Sequence, residues 1–200
     1  MKSTNNDLTD NLWHFARCYI ENYQHAHGHL PVAELDEDWP SACQQGIFTA
    51  QENTGQDNST GQGPQMLWQP VPADGDLCFN NIESALEMEL HPDIKSYFTA
   101  FHSDPLDAVC SEGKLSLLFS WNEADFERLQ ENIIGHVLMK RRLKQRISIF
   151  FAITDEEDLI LSLDNETGAI WVERVGREPH KKLADSMAEF IAGLTPHIQA

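Results

Sequence analysis

The chain has 200 residues, 41% of them apolar, and a formal net charge of −18 from 32 acidic and 14 basic side chains. That length suits one domain whose core needs no disulfide or metal staple. The acidity argues against nucleic acid, whose binding draws on cations that pair with phosphates, and against docking on an anionic bilayer.

Leu8, Leu12, Phe15, Tyr19 and Tyr23 recur at helical spacing, so the chain opens with an amphipathic helix. The first residues are polar and hold no apolar leader segment, and no run approaches the roughly 18 apolar residues of a spanning helix. Cys18, Cys43, Cys78 and Cys110 are scattered without a C-x-x-C pair, which reads as reduced thiols in a cytoplasmic protein. The first helix runs into His25-Ala26-His27-Gly28-His29. On a strand three such imidazoles would face one way, as zinc ligands do, but Gly28 and Pro31 favour a loop of solvated histidines. Glu34, Asp36, Glu37 and Asp38 form an acidic cluster. Residues 1–112 as a whole carry 18 acidic side chains and only three basic ones, Lys2, Arg17 and Lys95.

Residues 51–65 are almost all Gln, Asn, Ser, Thr and Gly, which predicts a mobile loop inside a single domain spanning 1–200. It is no domain boundary, because the first helix alone has nothing to bury its apolar face against. Met66-Leu67-Trp68 reads as a strand stopped by Pro70 and Pro72. A helix follows through Ile82, Ala85, Leu86 and Glu89, and Pro92 starts another carrying Ile94, Tyr97, Phe98 and Phe101.

Lys114 to Trp121 predicts a strand. The longest helix comes next: Asn122 caps it, with Asp125 at capping-box spacing, and Phe126, Leu129, Ile133, Ile134, Val137 and Leu138 form its apolar stripe. Glu123, Asp125 and Glu127 sit at the positive end of the helix dipole. Lys140, Arg141, Arg142, Lys144 and Arg146 sit at the negative end, so the dipole accounts for cations that otherwise resemble a phospholipid patch. Gly135 costs about 1 kcal/mol relative to Ala in mid-helix, which predicts close packing against another element. His136 reads as a core histidine, or alternatively as a general base.

Ile147 to Ile153 is a nearly continuous apolar strand, buried on both faces. Asp155-Glu156-Glu157-Asp158 fits a solvated turn. Leu159 to Leu163 and Ala169 to Val175 form a hairpin around Asp164-Asn165-Glu166-Thr167-Gly168. A last helix carries Leu183, Met187, Phe190, Ile191 and Leu194. The order predicts an α+β domain, a mostly antiparallel sheet flanked by helices. No G-x-S-x-G, P-loop, H-E-x-x-H or G-x-G-x-x-G pattern occurs.

Several segments together resemble one family. Glu131-Asn132-Ile133-Ile134-Gly135-His136-Val137 and Arg142-Leu143-Lys144 are the most specific. Trp68-Gln69-Pro70, Ile82-Glu83-Ser84-Ala85-Leu86, Tyr97-Phe98-Thr99, Gly113-Lys114-Leu115, Leu183-Ala184, Ala188-Glu189-Phe190 and Leu194-Thr195-Pro196 also fit. They resemble the Syd family of bacterial SecY-interacting proteins, part of the SUKH superfamily of single-domain α+β binding proteins. Residues 44–66 are longer than the family pattern. The resemblance implies a monomeric, non-enzymatic protein that needs no cofactor or metal and binds the cytosolic loops of SecY, the channel of the export translocon. It implies a peripheral place on the cytoplasmic side of the cell inner membrane, with a soluble cytoplasmic pool, no direct lipid insertion, and a role in checking translocon assembly. Two alternatives stay open: a SUKH-type immunity protein that binds a basic toxin, and a metal-dependent hydrolase using His136 or the His25 to His29 run.

A basic partner needs an acidic surface, because the field of the whole molecule attracts opposite charge. Glu34, Glu37, Asp38, Glu83 and Glu87 are the candidate binding residues, with Trp68 as an aromatic anchor. Glu83 and Glu87 stand one helical turn apart, which predicts a shared face.

Overall fold

The computed structural model describes residues 4–49, 63–73, 75 and 77–199. Helix α1 (Thr4–His27) buries Leu8, Leu12, Phe15, Ala16 and Tyr19 along one stripe, as its periodicity predicts. His25 and His27 belong to its last turn and do not lie in a loop; Gly28, at φ 77°, ends the helix. Strands β1 (Val32–Glu34), β2 (Gln44–Phe48) and β3 (Gln65–Trp68) make a three-stranded antiparallel sheet in the order β1-β3-β2. Phe48 pairs with Gln65, so the polar run between them connects a hairpin. The loop expected over 51–65 lies outside the described residues except for 63–65, and Gln65 already belongs to β3.

The prolines after Trp68 do not end strand pairing. Val71–Pro72 forms β4 and pairs with β5 (Phe101–His102); Pro72 is tolerated because both strands are edges of a two-stranded ribbon. Helix α2 (Asn80–Leu86) is shorter than its pattern suggests. Glu87 caps it at φ 48°, a left-handed conformation that turns the chain away before Glu89. Helix α3 (Pro92–Phe98) starts at its proline, and the His91 side chain accepts from the Asp93 N–H.

A seven-stranded antiparallel sheet forms the body of the protein. Its strands are β6 (Leu106–Cys110), β7 (Gly113–Leu117), β8 (Ser148–Thr154), β9 (Leu159–Asp164), β10 (Ile170–Arg174), β11 (Lys181–Ala184) and β12 (Thr195–Pro196), in the order β11-β10-β9-β8-β7-β6-β12. Helix α4 (Glu123–Arg142) links β7 to β8, and α5 (Met187–Ala192) lies between β11 and β12. Sequence patterning shows the β9–β10 hairpin and β8 but misses β6 and β12, and it assigns Leu183 and Leu194 to a helix. Leu183 instead lies in β11, and Leu194 follows α5. Strands this short have little periodicity of their own, and their pairing partners are distant in sequence. The observed fold is α+β with antiparallel pairing throughout the described residues.

Strand register assigns the two faces of the sheet. Ile149, Leu163 and Ile170 share one face; Phe150, Ser162 and Trp171 share the other. On the first face Phe151 packs against Tyr97 of α3 and Phe190 of α5, in one apolar cluster that runs from Leu8 to Ile191. Helix α4 covers the second face, where His136 meets Phe150. The basic end of α4 is not simply a solvated match to the dipole. Lys140 is fully buried, Arg141 donates to the Leu86 carbonyl, and Arg146 pairs with Asp164. Leu138, placed by its spacing in the apolar stripe, is 52% exposed. Gly135 also differs from expectation: it is exposed, and among the described residues nothing lies within 4 Å of where its Cβ would be.

Candidate functional site

The loop after β1 is stitched to the start of α4. Asn122 caps the helix by accepting from the Asp125 N–H, and its amide donates to the Pro40 carbonyl at 2.8 Å. Asp125 accepts from the Trp121 N–H, and Trp121 Nε1 donates to the Trp39 carbonyl at 3.1 Å. Ser41 donates to the Trp121 carbonyl. These bonds open a cleft of about 240 Å³ lined by Ala33, Glu34, Asp36, Trp39, Met66, Asp104 and Trp121. Its wall therefore holds three carboxylates and two indoles, with no Lys or Arg among the lining residues.

Asp104 is the most perturbed of these acids. Burial, and then the charges of Asp107 and Asp125, push its carboxyl up to about 6. It is charged at neutral pH but is held in a site where a cation would be welcome. The Arg128 guanidinium lies 4.1 Å from the Trp39 ring centre, so this indole already holds a cation over its ring.

The residues chosen from sequence fare differently. Glu34 lines the cleft; Glu37 and Asp38 are exposed in the adjoining turn, where the Asp38 N–H donates to Asp36. Trp68 is buried and reaches the cleft only through Trp121, against which it packs edge-on with ring centres 6.3 Å apart. Glu83 and Glu87 do not present one helical face. Glu83 bonds the Lys95 ammonium at 2.9 Å and the Leu90 N–H at 2.8 Å, whereas Glu87 is the exposed left-handed cap of α2. Neither lines the cleft. Sequence reasoning missed Asp104, Trp39 and the closing of the wall by Trp121; Asp104 stands in an Asp-Pro pair that carries no pattern of its own.

A second polar cluster lies beneath α4. Lys140 Nζ stands 2.9 Å from Glu173 Oε1 and also donates to the Arg177 carbonyl at 3.0 Å. Glu173 Oε2 accepts from Ser148 and Ser162, at 2.6 and 2.8 Å. His136 Nε2 sits 3.7 Å from Glu173 Oε1, too far for a hydrogen bond. Burial lowers the His136 pKa, outweighing the pull of Glu173. The alternating histidines pack locally: His27 bonds the Gln199 carbonyl, and His29 bonds the Leu30 carbonyl and packs at a tilt against Phe48. Among the described residues no group of three or more His, Cys, Asp or Glu side chains is placed to hold a metal.

The sequence matches the family model for Syd protein (SUKH-2) over residues 9–196. Protein Syd of Colwellia psychrerythraea is 51% identical over 204 aligned positions, covering 98% of this chain and 96% of the relative. Protein Syd of Pseudoalteromonas atlantica is 40% identical and covers 98% of each chain. Protein Syd of Alteromonas mediterranea is 44% identical, with 91% of this chain and 92% of the relative covered.

Proposed function

We propose a function on one premise: the chain belongs to the Syd family. It is a binding protein without catalytic chemistry, and its target is the cytosolic loops of the translocon channel SecY. Such loops are cationic, because cytoplasmic loops of membrane proteins carry an excess of Lys and Arg. The observation that carries the reading is the cleft of Glu34, Asp36 and Asp104, acidic and aromatic with no Lys or Arg in its lining. A Lys or Arg side chain entering it meets opposite charge and an indole face together.

Glu37 and Asp38 extend the acidic rim and speed encounter, Trp68 braces the wall from behind Trp121, and the exposed Glu87 adds to the long-range field. Glu83 contributes least, because Lys95 already neutralises it. The channel, and not lipid, then holds the protein at the cytoplasmic side of the inner membrane, in exchange with a soluble pool, where it checks translocon assembly. No helix among the described residues is long and apolar enough to cross a membrane.

The test titrates peptides of the SecY cytosolic loops against the wild type and Glu34→Lys/Asp36→Lys. The double reversal weakens binding by about tenfold or more and flattens its salt dependence, since surface charge pairs are screened over about 8 Å at physiological ionic strength. Unchanged affinity moves the site elsewhere. The SUKH-2 description of the family also keeps a second reading in view, an immunity protein holding a basic toxin in the same cleft. Capture of such a toxin, with no affinity for SecY, decides for it.

A further inference from the structure

The outward face of α4 carries one stripe of exposed residues. Glu131, Gly135, Leu138 and Arg142 fall at i, i+4, i+7 and i+11, one stripe of a helix. All four are exposed, and they stand opposite the buried Phe126, Ile133, Val137 and Lys140. Each is hard to explain within one copy. Gly135 has open space where a Cβ would project, so nothing among the described residues requires glycine there. Leu138 is 52% exposed in a helix whose other large aliphatic side chains turn inward or lie half-buried. No ion pair among the described residues engages Glu131 or Arg142.

The spacing of the four is symmetric. Glu131 precedes Gly135 by the same four positions that separate Leu138 from Arg142. When two α4 helices pack antiparallel about a twofold axis at the level of His136 and Val137, Leu138 of each copy falls opposite Gly135 of the other. Glu131 of each falls opposite Arg142 of the other. The missing side chain at Gly135 becomes the notch for a leucine, and the two ion pairs flank it. A twofold interface must be self-complementary in this way, and antiparallel helices at the shallow crossing angle interdigitate along such stripes.

We propose that the protein self-associates through α4, as a symmetric dimer with Leu138 seated in the partner's Gly135 notch between reciprocal Glu131–Arg142 pairs. This departs from the single-copy expectation drawn from the resemblance and does not rest on the proposed SecY site. The acidic cleft lies at the Asn122 end of α4, outside the stripe. One helix pair is a small interface beside the roughly 1,200 Å² of a stable complex, and each copy carries net charge −18, so the dimer is weak and forms at high concentration.

Sedimentation equilibrium of the full chain over rising concentration at physiological salt tests the proposal, with circular dichroism to check folding. The wild type dimerises. Arg142→Glu places two like-charged pairs in each dimer and weakens association by about tenfold. Glu131→Arg/Arg142→Glu restores the pairs in reversed sense and recovers it, and Leu138→Lys abolishes it without touching either charge. A wild type that stays monomeric at every concentration overturns the proposal. So does association that Arg142→Glu and Leu138→Lys leave unchanged, or a double reversal no better than Arg142→Glu alone.

Discussion

Lys140 and Glu173 form an ion pair, 2.9 Å apart, in which neither side chain is exposed. The acid arrives from β10, fixed by the Ser148 and Ser162 hydroxyls of β8 and β9, and the base from the last turn of α4. The pair therefore ties the helix to the sheet face it covers. Breaking a buried pair strands a charge, which is more damaging than never having built the pair.

Lys140→Met should lower the free energy of unfolding by about 3–5 kcal/mol, because Glu173 is left buried without its counter-charge. Lys140→Met/Glu173→Met should recover much of the loss. Recovery stays incomplete, since the Ser148 and Ser162 hydroxyls then lose their acceptor. Urea denaturation of the two variants at pH 7 checks the order.

His136 should make the fold less stable in mild acid. Burial depresses its folded pKa below the ordinary value of 6.5, with Glu173 opposing and Lys140 reinforcing that shift. The unfolded chain thus binds the proton more readily, and stability falls as pH drops below the unfolded value toward the folded one. Unfolding free energies between pH 7.5 and 5 should show this slope in the wild type and a shallower one in His136→Gln.

Asp104 should set stability against binding. Its folded carboxyl titrates at about 6, against an ordinary value of 3.8. The folded state holds the proton more tightly, so stability from this group is present at low pH and is lost as pH rises through about 6. Asp104→Asn should therefore stabilise the protein at pH 7 by on the order of 1 kcal/mol, after allowance for partial solvent access. The same variant should bind SecY loop peptides more weakly at pH 7, and wild-type affinity should fall as Asp104 protonates below about 6. Calorimetric melting and peptide titration at pH 7 and 5.5 separate the two effects.

Glu83 and Glu87 should separate in the same way. Burial pushes the Glu83 carboxyl up, but the Lys95 ammonium and the Leu90 N–H prevail and hold it below the usual range. Glu83→Ala should cost about 1 kcal/mol by releasing the α2–α3 junction. Glu87→Gly should stabilise by about 0.5–1 kcal/mol, since φ 48° suits glycine better than glutamate. Melting temperatures of the two variants move in opposite directions if these roles are right.

Much of the fold is written in stretches short enough to be read locally. The Asn122 cap, the Pro92 start of α3, the α1 stripe and the Asp164–Gly168 turn each depend on chemistry within a few residues. The candidate site was only half legible. Glu34 and the acidic run beside it stand out in any reading of charge, but Asp104 joins them only because β3 and the loop after β5 come together in space.

The α+β class, the longer helices, the central hairpin and the strong acidity are legible in the sequence without any structure. These follow from side-chain periodicity, capping and net charge, all properties of neighbouring residues. The tertiary structure alone decided that Lys140 is buried while Leu138 is exposed, that Glu83 is bound to Lys95, and that Trp39, Trp121 and Asp104 share one cleft. Burial and ion pairing depend on which distant segment arrives at a side chain. Only strand register and helix docking, such as β10 bringing Glu173 beneath α4, settle that.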